Sequence, residues 1–229
     1  MVTRHLPPSY SATRDSLHRV AEHVLSPARY ADSGRIGLRQ SPGGFATPPF
    51  GNTARTISVD GDELVINEQS NTRRTRITTI ADAGRFVGIT PGAPSEVYSP
   101  NTPLDLDTSL AVDRDAAEVI AMWYELIAMA LAAFATSIAQ DEPTEAQLWP
   151  EHFDLAMSAD RINYGGSPGD DYIDVPYLYV GPFEGRPNQT DAFWNQPFGA
   201  AIGFDEIATI SDAFEFFGRG RTLTNDSRR

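Results

Sequence analysis

DRDAAEVIAMWYELIAMALAAFATSIAQ, residues 113–140, decides the fold class, because it is the one long helical pattern and it separates two β-rich regions. Asp113 is a natural N-cap, and Asp115 and Glu118 fall where the positive end of the helix dipole favours acids. Val119, Ile120, Met122, Trp123, Leu126, Ile127, Met129, Leu131, Phe134 and Ile138 surround the helix almost completely. A helix apolar on nearly all sides is expected to lie centrally and be buried. Glu118 and Glu125 interrupt its most apolar run, leaving about 14 uncharged residues up to Gln140, short of the roughly 18 a membrane span needs.

Before this helix, RTISV and ELVIN flank Asp60-Gly61, a strong hairpin signal, and residues 73–80 can add a third strand. Residues 35–39 (RIGLR) alternate and can form a short strand, and residues 80–87 are ambiguous, with a short helix running into Gly88 as one reading. Further upstream, Leu17, Val20, Ala21, Val24 and Leu25 recur at helical spacing over residues 13–25, with Pro27 marking the end. After the helix, residues 153–159 alternate as a strand, residues 162–175 read as a Gly/Pro loop, and residues 177–180 as another strand. A terminal helix covers residues 205–217, with Gly218 and Gly220 ending it. These elements predict an α+β fold: a mostly antiparallel sheet, shared by strands from both sides, packed on a long buried central helix and a C-terminal helix. The expectation is a single globular domain over residues 1–229, with a flexible N-terminal arm of about residues 1–10 and a flexible tail of about residues 222–229.

Composition narrows the chemistry. The 229-residue chain has a formal net charge of −13, which repels phosphate backbones and anionic lipid, so nucleic acid and membrane are poor partners. All 18 basic residues are Arg, which removes Schiff-base and phosphate-loop lysines. With no Cys, thiol catalysis and thiolate metal sites are excluded too. Without a signal-like apolar N-terminal core, the reading is cytoplasmic.

Candidate chemistry concentrates in residues 148–183, LWPEHFDLAMSADRINYGGSPGDDYIDVPYLYVGPF. If residues 152–155 are strand, His152 and Asp154 share a face, as a general base and its orienting acid or as two metal ligands. Glu151 or Asp170 is the available third metal ligand, although no metal site is assigned. The Gly-rich run Tyr164–Asp171 lacks the Lys of a phosphate loop, and Ser167 is outside a nucleophile elbow. Tyr177 and Tyr179 share a strand face that, with Tyr164, Ser167, Asp170, Asp171 and Trp194, is the candidate ligand-binding set. His18, Glu22 and His23 on the first helix lack the order of a zinc protease and read as a solvated face.

The motifs LWPEHFDLA (148–156), YGGSPGD (164–170) and PYLYVGP (176–182) make the chain resemble a mainly actinobacterial protein family with no established activity. Family members carry Ala where this chain has Gly166, a change expected to matter little. The resemblance implies one evolutionary unit of about this length in a bacterial cytoplasm, and no catalytic residue.

Two functions therefore stay open. One is a binding or accessory protein whose pocket takes a small neutral or cationic molecule without chemistry of its own. The alternative is a small hydrolase or isomerase built on His152. No cofactor is identified, and a protein partner or a second copy remains open through the apolar terminal helix.

Overall fold

A computed structural model describes residues 5–187 and 191–228. The chain divides into two compact units, one of residues His5–Tyr124 with Leu148–Phe153, the other containing Glu125–Gln147 and Asp154–Arg229. The class is α+β, with antiparallel sheets.

The first unit opens with α1 (Tyr10–Val20), a π-turn (Ala21–Leu25) and α2 (Ser26–Ser33) as one continuous helical run. The expected stop at Pro27 does not occur, for a physical reason. Pro27 cannot donate to the His23 carbonyl, so an ordinary helix would leave that carbonyl orphaned. Here the Gly92 N–H bonds it instead, at 3.0 Å, and the Ser26 N–H reaches back to the Ala21 carbonyl in the wider π spacing.

The sheet of this unit runs in the order β1 (Arg39–Ser41), β2 (Gly44–Ala46), β3 (Thr56–Asp60), β4 (Glu63–Glu68), β5 (Asn71–Arg76). Asp60 pairs with Glu63, leaving Gly61-Asp62 as a two-residue loop with Gly61 at φ 62°, the positive value such hairpins need. One face buries Phe45, Ile57, Val59, Leu64 and Ile66. Phe45, Tyr124 and Phe153 meet edge-to-face, and the Tyr124 hydroxyl donates to the Phe153 carbonyl at 2.7 Å. The segment 80–87 is helical as α3 (Ile80–Val87), capped by Thr79 and closed by Gly88 at φ 84°.

The long helix, α4 (Arg114–Ser137), begins where expected, with the Asp113 carboxylate accepting from the Ala116 N–H at 3.0 Å. Contrary to the count of uncharged residues, it is long and apolar enough to cross a membrane by length and composition, and 44% of its apolar window is buried. The expectation of burial on nearly all sides is corrected: Glu118, Met122, Glu125 and Met129 lie along one exposed face, with Met122 at 54% and Met129 at 51% exposure. Spacings of four, three and four put the two acids and two methionines on a single stripe.

In the second unit β7 (Asp154–Ala159), β8 (Ile162–Ser167), β9 (Tyr177–Pro182) and β10 (Ala200–Gly203) form an antiparallel meander in the order β10-β9-β8-β7. A short strand, β6 (Gln147–Trp149), falls at the division between units, and Leu148 bridges Leu38 within the first. Strands before and after α4 thus belong to separate sheets, not the shared one the sequence suggested. Within each sheet neighbouring strands pair antiparallel, and Leu38 and Leu148, from before and after the helix, meet in an isolated antiparallel bridge with N–H to carbonyl distances of 2.7 and 2.9 Å.

The Gly-rich segment read as loop is β8. Its glycines are there for space: a Cβ on Gly165 would lie 2.8 Å from Tyr179 Cζ and from the Leu155 carbonyl. At Gly166 the neighbours are mostly the terminal methyls of Ile127 and Leu178, groups that can give way. The terminal helix, α5 (Ile210–Ser227), starts with a Thr209–Asp212 capping box and runs through Gly218 and Gly220 instead of ending there. A Cβ on Gly220 would lie 2.7 Å from Val180 Cγ1, so this glycine lets α5 approach β9 closely. Phe134, Tyr164 and Phe217 form the aromatic centre of this unit. Of the expected arm and tail, residues 1–4 and 229 lie outside the described residues, while Tyr10 is buried at the start of α1 and α5 covers residues 222–227.

Candidate functional site

The strand that was to align His152 with Asp154 does not reach His152. β7 starts at Asp154, and Phe153 has φ 54°, which breaks the alternation on which a shared face depends. His152 is exposed and its side chain makes no hydrogen bond or ion pair among the described residues, while Asp154 is buried. Glu151 and His152 belong to the first unit and Asp154 to the second. Among the described residues no three His, Cys, Asp or Glu side chains are grouped to hold a metal, so neither Glu151 nor Asp170 completes a ligand set.

Asp154 instead meets a tyrosine. The Tyr179 phenol donates to Asp154 Oδ2, its ring crossing over Gly165 of the intervening strand. Two residues earlier on β9 the Tyr177 phenol donates to Asp170 Oδ2 at 2.6 Å, with the two rings 6.3 Å apart. Asp170 Oδ1 accepts the Tyr172 and Ile173 N–H groups at 2.8 Å each, which folds the loop back on itself. Ser167, directly opposite Tyr177 in register, accepts from the Gly169 N–H at 3.1 Å and bonds the Tyr177 phenol. Burial, and then the neighbouring carboxylates, push both phenols above the ordinary tyrosine range, so each keeps its proton and donates it to an acid.

Phe198 packs edge-on against Tyr179 at 6.4 Å and lies 6.1 Å from Tyr172. Tyr172 is 62% exposed and Phe198 36%, so both form a rim, beside the exposed Asp171. The structure therefore brings together Asp154, Ser167, Asp170, Tyr177 and Tyr179, and adds Tyr172 and Phe198. It does not bring in Tyr164 or Trp194. Tyr164 points to the opposite face of β8, fully buried against Phe134 and Phe217. Trp194 is buried against Phe193, 5.0 Å between ring centroids. The alternation of β8 would have separated Tyr164 from Ser167, had that segment been read as a strand.

A second polar cluster, in the first unit, is the largest departure from the sequence reading. His18, Glu22 and His23 are not a solvated face. Glu22 and His23 lie on the π-turn with 0% and 1% exposure. The Glu22 carboxylate accepts the Asn101 N–H at 2.9 Å, the Thr102 N–H at 2.8 Å and the Thr102 hydroxyl at 2.5 Å. The Ala93 N–H donates to His23 Nδ1 at 3.2 Å, so the ring proton sits on Nε2 and points to the Thr102 carbonyl at 3.0 Å. These bonds strap residues 92–102 onto the π-turn. His18 stacks on Phe153 and its Nε2 bonds the Pro150 carbonyl at 2.9 Å; burial lowers its pKa, keeping the ring neutral. Burial also lifts the Glu151 carboxyl above its usual range. The π-turn was not legible, because the partners that pay for it lie far along the chain.

No protein-family model, curated protein or solved structure matches this chain.

Proposed function

We propose that the protein binds a small organic cation at the Asp154–Tyr179 and Asp170–Tyr177 pairs and carries out no chemistry of its own. The observation that carries this reading is the direction of the hydrogen bonds. The phenol protons of Tyr177 and Tyr179 and the N–H groups of Gly169, Tyr172 and Ile173 are all spent inside the cluster. The cluster's own carboxylates accept from within it, and what the rim offers outward is the exposed Asp171 side chain and the aromatic faces of Tyr172 and Phe198. A ligand that fits must bring donors and positive charge, as an ammonium or guanidinium group does. The net charge of −13 adds long-range attraction for such a ligand. The hydrolase or isomerase alternative rests on His152, whose exposed position without a hydrogen-bonded acid removes the geometry it required. A bacterial cytoplasmic setting goes with the binding reading on the sequence resemblance alone.

Calorimetric titration with tetramethylammonium, benzylamine and agmatine tests the reading. Saturable binding of at least one is expected, with Phe198→Ala weakening it by about 1 kcal/mol, a typical cation–π contribution. Asp170→Asn is expected to weaken it further. Binding of neutral polyols in preference to every amine would overturn the assignment.

A further inference from the structure

The outer face of the first unit's sheet carries a groove lined by Arg39, Ser41, Thr56, Ser58 and Asn67, with Arg74 at its far side. Register explains how it is built. Arg39, Ala46, Ser58, Val65 and Arg74 are successive partners across all five strands, so they stand in one row on one face. The small side chains of Ala46 and Ser58 keep the middle of that row low, and the two arginines stand at its ends.

Three features set this groove apart from an ordinary polar sheet surface. Ser41 is only 6% exposed, and its hydroxyl is buried without a hydrogen-bond partner among the described residues. Such a group is costly to fold around, and an alanine would fill the position without that cost. Arg39 has no acidic partner among the described residues, although the chain carries 31 acids. Its one side-chain bond among the described residues is a long one, Nε to the Thr47 carbonyl at 3.4 Å, which leans the guanidinium along β2 and leaves the outer nitrogens open. Finally, the one carboxylate in the lining, Asp60, is engaged by Arg74 at 2.8 Å, and so is the neighbouring Glu63 at 3.1 Å. The Asn67 oxygen accepts from Thr72, so its amide presents N–H groups.

The groove is thus rich in free donors and has no free acid: the reverse of the Tyr/Asp cluster. We propose that it is a binding site for a small anion, a carboxylate or a phosphate monoester. Arg39 makes the charged contact, and the Ser41 and Ser58 hydroxyls and the Asn67 amide complete the donor set. An anion held there gives the Ser41 hydroxyl the partner it lacks within the chain. A single open arginine suits a ligand bearing one carboxylate or phosphate group; the arginine fork binds either with two parallel bonds.

Titration of the full chain with succinate and, separately, inorganic phosphate at constant ionic strength tests the proposal, with amide chemical shifts as the readout. Saturable binding is expected, with shifts confined to residues 39–47, 56–60, 65–67 and 74. Saturation by succinate alone assigns a carboxylate ligand, by phosphate alone a phosphate ester, and by both a shared anion site. Arg39→Gln, an exposed position whose change leaves the fold intact, is expected to weaken binding about tenfold. Ser41→Ala is expected to weaken it about fivefold while leaving the melting temperature the same or higher. The proposal is overturned if neither anion saturates below about 10 mM, or if both variants bind as tightly as the wild type.

Discussion

Gly218 and Gly220 lie two residues apart in α5, and changing each to Ala should move stability in opposite directions. Intrinsic helix propensity makes the same forecast for both: Ala favours a helix interior over Gly by about 1 kcal/mol. The surroundings differ. A Cβ at Gly218 meets nothing within 4 Å, so the propensity gain stands alone. A Cβ at Gly220 meets Val180 Cγ1 at 2.7 Å, Cγ2 at 2.8 Å and Cβ at 3.0 Å, and Val180 is fully buried in β9. Val180 is β-branched and its Cβ is fixed to the strand backbone, so relief requires α5 to move off the sheet, an overpacking cost of about 1–3 kcal/mol. Set against the propensity gain of about 1 kcal/mol, and with the contact deep enough to place the cost near its upper end, the net effect at Gly220 is a loss of about 1–2 kcal/mol. For a chain of this size, with about 2–4 °C per kcal/mol, Gly218→Ala should raise the melting temperature by about 2–4 °C and Gly220→Ala lower it by about 2–8 °C. Differential scanning calorimetry of the two variants decides the matter. If both variants gain stability equally, the close approach of α5 to β9 is not real, and the reading of Gly220 as a spacing residue is wrong.

Other outcomes follow from the same geometry. Glu22→Gln places an amide N–H₂ against the donors of Asn101 or Thr102 and should cost about 3 kcal/mol, two charge-assisted bonds less the relief of a buried charge. Hydrogen exchange should accelerate at the Asn101 and Thr102 amides, and unchanged protection there would show that Glu22 does not hold the strap. Burial depresses His18 below its ordinary value of 6.5. The unfolded chain therefore takes up a proton near pH 6.5 that the folded chain refuses, so this contribution is complete above pH 6.5 and is lost as pH falls through it. Glu151, raised by burial above 4.5, works the other way, its protonation favouring the fold as pH falls. Urea denaturation of wild type and His18→Gln at several pH values isolates the histidine: the wild type should lose stability relative to the variant between pH 7.5 and 5, and parallel curves would contradict a buried neutral ring. Gly165→Ala should cost about 1–3 kcal/mol and alter the near-ultraviolet tyrosine signal, because its Cβ meets the Tyr179 ring and a fixed carbonyl. Gly166→Ala, facing mainly movable methyls, should cost less than about 1 kcal/mol; equal costs would remove the distinction.

Much of the fold could be read locally. The Asp60-Gly61 hairpin, the Asp113 cap of α4, the strand after Phe153 and the shared face of Tyr177 and Tyr179 each follow from a signal within a few residues. The misreadings share a cause, which is that the deciding partner lies elsewhere in the chain. Pro27 lacks the N–H a helix needs, and the bond that substitutes for it comes from Gly92. Gly165 and Gly220 looked like punctuation because glycine is conformationally free, whereas both are small so that Tyr179 and Val180 can come close. Asp154 looked like the orienting acid for a nearby histidine, and its observed partner is Tyr179, reached across a strand. Sequence reasoning could locate the acidic tyrosine-bearing strand; it could not pair the phenols with their acids, or find Phe198 beside them.

The strap that closes over the π-turn also bears on the order in which the chain acquires structure. Glu22 and His23 are joined to Asn101 and Thr102 across 79 positions of sequence. During synthesis the helix bearing the π-turn is made before its strap, with its bulge unsupported and Pro27 free to end it. The bond that replaces the missing Pro27 donor can form only once Gly92 has followed, after the five strands of the first sheet have been made. This helix is in that sense completed after strands that follow it in the sequence, and a ribosome-bound chain ending before Gly92 should show it broken near Pro27.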